Sequence, residues 1–139
     1  MKPDLIMQAA IALLAHLPNR PVVIAVTTSN QALESALPVK ELAEAISARK
    51  IPAAVFSMPE RTAQNPAQAL SQIAAAENPG VLLLSLPAVC ESETAMCYAA
   101  ACDGAVLYEK KRSSRTDAIA SAVDTLRALD CDPLGFILE

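Results

Sequence analysis

The sequence predicts a three-layer α/β domain: a mostly parallel sheet of about five strands with helices on both faces. Three observations carry this expectation. Short β-branched or leucine-rich runs alternate with segments of helical spacing along the whole chain, the order that joins parallel strands through crossover helices. The run Val81-Leu82-Leu83-Leu84 has no polar alternation, as a strand covered on both faces requires. Hydrophobic residues make up 53% of the 139 residues while aromatics make up only 3%. The core is therefore built from Ala, Leu, Val and Ile, a mixture suited to helices packed on a parallel sheet.

The elements follow in order. Leu5, Ile6, Ala9, Ala10, Leu13, Leu14 and Leu17 recur at helical spacing and predict a first helix over residues 3 to 16. Pro18-Asn19-Arg20-Pro21 stops it, and Val22 to Thr27 reads as the first strand. The next helix takes Ser35 as its N-cap and Pro38 in its first turn, and buries Leu42, Ala45 and Ile46 before ending at Arg49. Ala53 to Ser57 forms the second strand, and Pro66 to Glu77 a short helix with Leu70, Ile73 and Ala74 inward. Asn78-Pro79-Gly80 breaks the chain before Val81 to Leu84, the strand expected at the centre of the sheet. Beyond Pro87, Glu91 to Cys102 reads as an alanine-rich helix and Ala105 to Tyr108 as the fourth strand. Ser114 is expected to cap a long helix to about Asp130, with Asp117 in its first turn and Ile119, Ala122, Val123, Leu126 and Leu129 on one face. Leu134 to Leu138 completes the sheet. No repeat or linker interrupts this pattern, so residues 1–139 are expected to form a single domain.

A net charge of −4 and a pI near 5.0 argue against a dedicated nucleic-acid binder, which presents a basic face. Lys110-Lys111-Arg112 with Arg115 is a small basic cluster that reads as a solvated loop. The four cysteines, Cys90, Cys97, Cys102 and Cys131, lack the close pairing of zinc or redox motifs and read as reduced, mostly buried core residues. Cys90, Cys97 and Cys102 lie in or beside the helix predicted over Glu91 to Cys102, and the spacing of seven between Cys90 and Cys97 suits a shared face. Asp4 and Gln8 interrupt the apolar N-terminal stretch, and no run is long enough to span a bilayer, so the chain is expected to be cytoplasmic.

Val22 to Thr27 runs into the polar loop from Thr28 and then into a helix, which is the order a Walker A site needs. Such a loop closes round phosphates with glycine backbone amides, reaches the β and γ phosphates with a lysine, and holds magnesium with a Ser or Thr. Between Thr28 and Leu37 there is no glycine and no lysine.

Thr27-Thr28-Ser29-Asn30 after an apolar strand, Pro87 beyond the leucine-rich strand, Asp103-Gly104-Ala105-Val106-Leu107 and Pro133-Leu134-Gly135-Phe136-Ile137-Leu138 carry a resemblance. Together they resemble the cytoplasmic ATPase domain of bacterial tyrosine kinases that regulate capsule and exopolysaccharide synthesis, within the wider MinD and ParA group. The resemblance places the kinases' phosphate loop on Gln31 to Leu37. There Ser35 stands at the lysine position, Glu34 at the preceding glycine and Ala36 at the magnesium-binding hydroxyl. The carboxylate positions at the ends of the second and third strands fall on Ser57 and Ser85. Glu34 would repel a triphosphate, and a neutral hydroxyl is a poor substitute for a carboxylate on Mg²⁺. The Glu and Arg pattern of the kinases' first helix and the tyrosine cluster after their last strand are also missing, and the region between the second and third strands is shorter.

These departures imply a pseudo-ATPase: no enzymatic activity, no cofactor and no metal, with the retained fold serving a protein partner or a second copy. Self-association is expected across the former nucleotide face, where an apolar Ala-Leu loop would form the contact. The alternative is a small-molecule binder or Cys-dependent enzyme at the carboxyl ends of the strands, where open α/β sheets hold ligands. Its candidates are Thr28, Ser29, Asn30, Ser57, Ser85 and Cys90 with Glu91 or Glu93. The single histidine, His16, is expected at the opposite end of the sheet.

Overall fold

The computed structural model describes residues 3–15, 22–57, 65–77, 80–112 and 114–139. The expected alternation forms. Helix α1 (Pro3–Ala15) precedes strand β1 (Val22–Thr27), and α2 (Val39–Ser47) leads to β2 (Ala53–Ser57). Helix α3 (Pro66–Glu77) precedes β3 (Val81–Ser85), α4 (Glu93–Ala99) precedes β4 (Gly104–Glu109), and α5 (Thr116–Ala128) precedes β5 (Asp132–Leu138). The strands form one five-stranded sheet in the order β2-β3-β1-β4-β5, and all neighbouring pairs are parallel.

Alternation along each strand divides the core into two halves. Ile24 and Val26 of β1, with Val81, Leu83, Val106 and Tyr108, face the side covered by α1 and α2. Ala25, with Leu82, Leu84, Ala105 and Leu107, faces α3, α4 and α5. Leu42 and Ile46 on one side and Tyr98 and Leu126 on the other are essentially inaccessible to water.

The centre of the sheet is β1, flanked by β3 and β4, rather than the Val81 strand. Every interior strand needs two apolar faces, so the unalternating run marks β3 as interior without ranking it above β1. Two helix starts also differ from expectation. Ser35 lies within a separate 3-10 turn, Gln31–Ala36, whose cap is Asn30, and α2 begins beyond Pro38 without a side-chain cap. Proline is disfavoured in a continuing helix and lacks an N–H, so it divides the segment into two turns of different pitch. Helix α5 begins behind Arg115 without a side-chain cap. Ser114 instead closes the preceding turn, its Oγ accepting from the Lys110 N–H at 3.1 Å.

Helix α5 ends in a Schellman-type turn in which the Cys131 N–H donates to the Leu126 carbonyl at 2.9 Å and Asp130 takes φ 57°. Where β4 begins, a Cβ on Gly104 would fall 2.5 Å from Leu134 Cδ1 and 3.1 Å from the Asp132 carbonyl. A β-bulge follows between Ala105 and Val106, with Leu134 the additional residue on β5. No helix among the described residues is long and apolar enough to cross a membrane.

Candidate functional site

Helix α2 follows β1 on one face of the sheet and α5 follows β4 on the other. Since β1 and β4 are neighbours, their connections part above the carboxyl ends of these strands and leave a crevice, the usual ligand position in an open α/β sheet. Thr28 and Ser29 leave β1 there, and Glu109 ends β4.

Glu109 is fully buried. Its Oε1 accepts from Thr28 Oγ1 at 2.9 Å and from the Ser29 N–H at 2.6 Å, while Oε2 accepts from Ser29 Oγ at 2.5 Å. A buried carboxylate is tolerated when donors surround it in this way. Three further amides of this loop are satisfied internally. The Asn30 N–H donates to Thr28 Oγ1 at 3.1 Å, Ala32 to Asn30 Oδ1 at 3.0 Å, and Leu33 to the Asn30 carbonyl at 2.9 Å.

A second carboxylate links this loop to the one after β3. Glu34 Oε1 accepts from the buried Ala88 N–H at 2.8 Å. Thr27 Oγ1 donates to the Pro87 carbonyl at 2.7 Å, and the Leu86 N–H donates to the Val26 carbonyl at 3.0 Å. The β3 loop is thus drawn over the end of β1.

The other candidates are distributed unevenly. Ser57 and Ser85 stand opposite one another in the β2–β3 register, Ser57 exposed and Ser85 half-buried. Ala36 is exposed, whereas Leu33 is buried and Leu37 packs against the core. The loop therefore turns its leucines inward and does not offer the apolar face expected for self-association. Ser29, Asn30 and Gln31 border an open depression of 260 Å³, completed by Glu91, Arg115 and Ala118. Arg115 reaches its neighbour Asp117 at 3.0 Å.

Cys90 is half-buried in a 3-10 turn, Val89–Glu91, with Sγ 3.5 Å from Thr125 Oγ1. Ser92 caps α4 after that turn, so Cys90 and Cys97 do not share a helix. Cys97 is exposed, contrary to the core role expected for it, while Cys102 and Cys131 are buried. Burial raises both inner thiols, Cys131 to about 12; Cys131 and Asp103 add to the effect at Cys102, and Asp132 and Asp103 add to it at Cys131. His16 lies outside the described residues. Among the described residues, no group of three or more His, Cys, Asp or Glu could hold a metal ion.

Sequence reasoning missed Glu109. It follows Tyr108 and precedes Lys110-Lys111-Arg112, so it reads as part of a solvated charge run. Only the pairing of β4 beside β1 brings it to Ser29.

The fold recurs in solved structures. A crystal structure of the chimerical protein CapA2B2 superposes with TM-score 0.76 at 10% identity, covering 96% of this chain and 82% of that one. The chain has a kinase-like α/β fold. The BceF tyrosine kinase domain matches with TM-score 0.69 at 14% identity over 95% of this chain and 72% of that one. A protein named as a candidate fructose transport system kinase from Silicibacter sp. TM1040 matches with TM-score 0.55 at 13% identity, over 94% and 98% of the two chains. No protein-family model and no curated relative matches the sequence.

Proposed function

We propose that this chain is a pseudo-ATPase, a P-loop-like fold without nucleotide chemistry that serves as a protein-interaction or regulatory module. The resemblance implies polysaccharide synthesis or export as its setting. One observation carries the reading: four amides of the β1 loop are turned to acceptors within the protein. Phosphate binding at such a loop depends on a cluster of backbone N–H groups directed at the ligand. Here the amides of Ser29, Asn30, Ala32 and Leu33 already donate to Glu109, Thr28 and Asn30. A triphosphate would have to displace these bonds and approach the carboxylates of Glu34 and Glu109. The missing lysine removes the charge that would offset that repulsion.

Titration calorimetry with Mg-ATP and with Mg-ADP tests the reading. No heat of binding is expected for either, and micromolar affinity for one would overturn it. The alternative, a small-molecule binder or Cys-dependent enzyme, draws support from the 260 Å³ depression beside Ser29. It has less support at Cys90, whose sulfur faces the Thr125 hydroxyl rather than a base.

A further inference from the structure

Strand β5 is the last in the sheet order, with β4 on one side of it. The Glu139 N–H donates to the Glu109 carbonyl and the Glu139 carbonyl accepts from Lys111 N–H, both at 2.9 Å. In a parallel pair, alternate residues direct N–H and C=O to the same neighbour. Glu139, Ile137 and Gly135 therefore face β4, and the backbones of Phe136 and Leu138 face the open side. The side chains agree with an unfinished edge: Phe136 is 51% and Leu138 43% exposed, while Ile137 between them is 1% exposed. On the other face of the edge, Leu134 and Gly135 share a 230 Å³ groove with Leu5, Ala9 and Ala12 of α1.

We propose that this edge pairs with β5 of a second copy, antiparallel about a two-fold axis through Ile137. Phe136 then lies opposite Leu138 of the second copy. Both residues present outward backbone groups, so each such pair exchanges two N–H···O bonds. The aromatic and aliphatic side chains meet on one face of the joined sheet. Pro133, which cannot donate, and the bulge at Leu134 fall outside this ladder.

Charge selects a second copy in this orientation. The start of β5 is acidic, with Asp130 and Asp132 exposed, while at its end the exposed Lys111 and Arg112 of the adjoining turn outnumber the single carboxylate of Glu139. Antiparallel pairing directs each acidic start toward the basic turn of the other copy, whereas parallel pairing would set like charges together. This surface rests on the reading of the chain as an interaction module and uses no part of the nucleotide loop. Nucleotide binding would overturn the pseudo-ATPase reading and leave the edge pairing standing.

Sedimentation velocity of the full chain without nucleotide, from low to high micromolar concentration, tests the proposal. A reversible dimer is expected, weakened by added salt. Leu138→Lys should weaken dimerisation about tenfold or more, because an edge lysine blocks strand addition. Circular dichroism would show that the variant is folded. Asp132→Lys alone, or Lys111→Glu with Arg112→Glu, should each weaken the dimer, and the three changes together should restore it. A monomer throughout would overturn the proposal, even one that binds an extended apolar peptide. So would a dimer indifferent to Leu138→Lys, or a charge exchange without rescue.

Discussion

Ser29 gives both its backbone N–H and its hydroxyl to the carboxylate of Glu109, at 2.6 and 2.5 Å, across the boundary between β1 and β4. Removing that acceptor leaves buried donors without a partner. Glu109→Ala is expected to lower stability by about 2–4 kcal/mol. Glu109→Gln, which retains the shape but opposes an amide NH₂ to some of those donors, should cost about 1–3 kcal/mol. Urea unfolding midpoints check both values.

High pH should destabilise the fold through groups held neutral inside it. Burial and the hydrogen bond to Glu139 push Tyr108 up to about 12 from an ordinary value of 10.0, and burial pushes Cys131 up to about 12 from 9.0. The unfolded chain releases these protons first. Their stabilising contribution is therefore complete below about pH 9 and is lost as pH rises toward 12. Urea midpoints measured from pH 8 upward should fall along this limb. Tyr108→Phe, which has no phenolic proton, should make the fall above pH 10 shallower.

The cysteines should separate by access when iodoacetamide is applied near neutral pH and the sites are read by peptide mass spectrometry. Cys97 is exposed and is expected to react first, with half-buried Cys90 slower. Cys102 and Cys131 are buried and held as thiols, and should remain unlabelled until the protein unfolds. Labelling of Cys90 ahead of Cys97 would instead favour the Cys-dependent reading of the crevice.

The turn after α5 offers a stabilising change. Asp130 occupies the left-handed region at φ 57°, a position that favours glycine. Asp130→Gly should raise stability by about 1 kcal/mol, whereas Asp130→Ala should give no such gain. Thermal unfolding of the two variants distinguishes these outcomes.

Element types were legible because hydrophobic spacing reports them locally. Leu42 and Ile46, or Ala122 and Leu126, sit on buried helix faces as their spacing requires. The β1 loop was legible as polar and without glycine, and Thr28 and Ser29 stand at the end of β1 beside Glu109. What the sequence could not carry was adjacency. Glu109 is separated from Ser29 by 80 positions, and nothing near it distinguishes a carboxylate turned inward from one beside Lys110 in water. The same limit applies to Glu34, whose partner is the Ala88 amide 54 positions away. Ser35 misled for a local reason: it has the composition of a cap, but Pro38 lies three residues on and splits the segment.

Loops above the carboxyl ends of a parallel sheet ordinarily open before the sheet does. The rim here is tethered differently, with the Ser29 amide held by the end of β4 and the Ala88 amide by Glu34. In native-state hydrogen exchange these amides should belong to the same cooperative unit as β1 and β4 and exchange only when that unit opens. The surface loop would then report on the integrity of the core, and a lesion deep in β4 would be read at the rim as faster exchange of these amides.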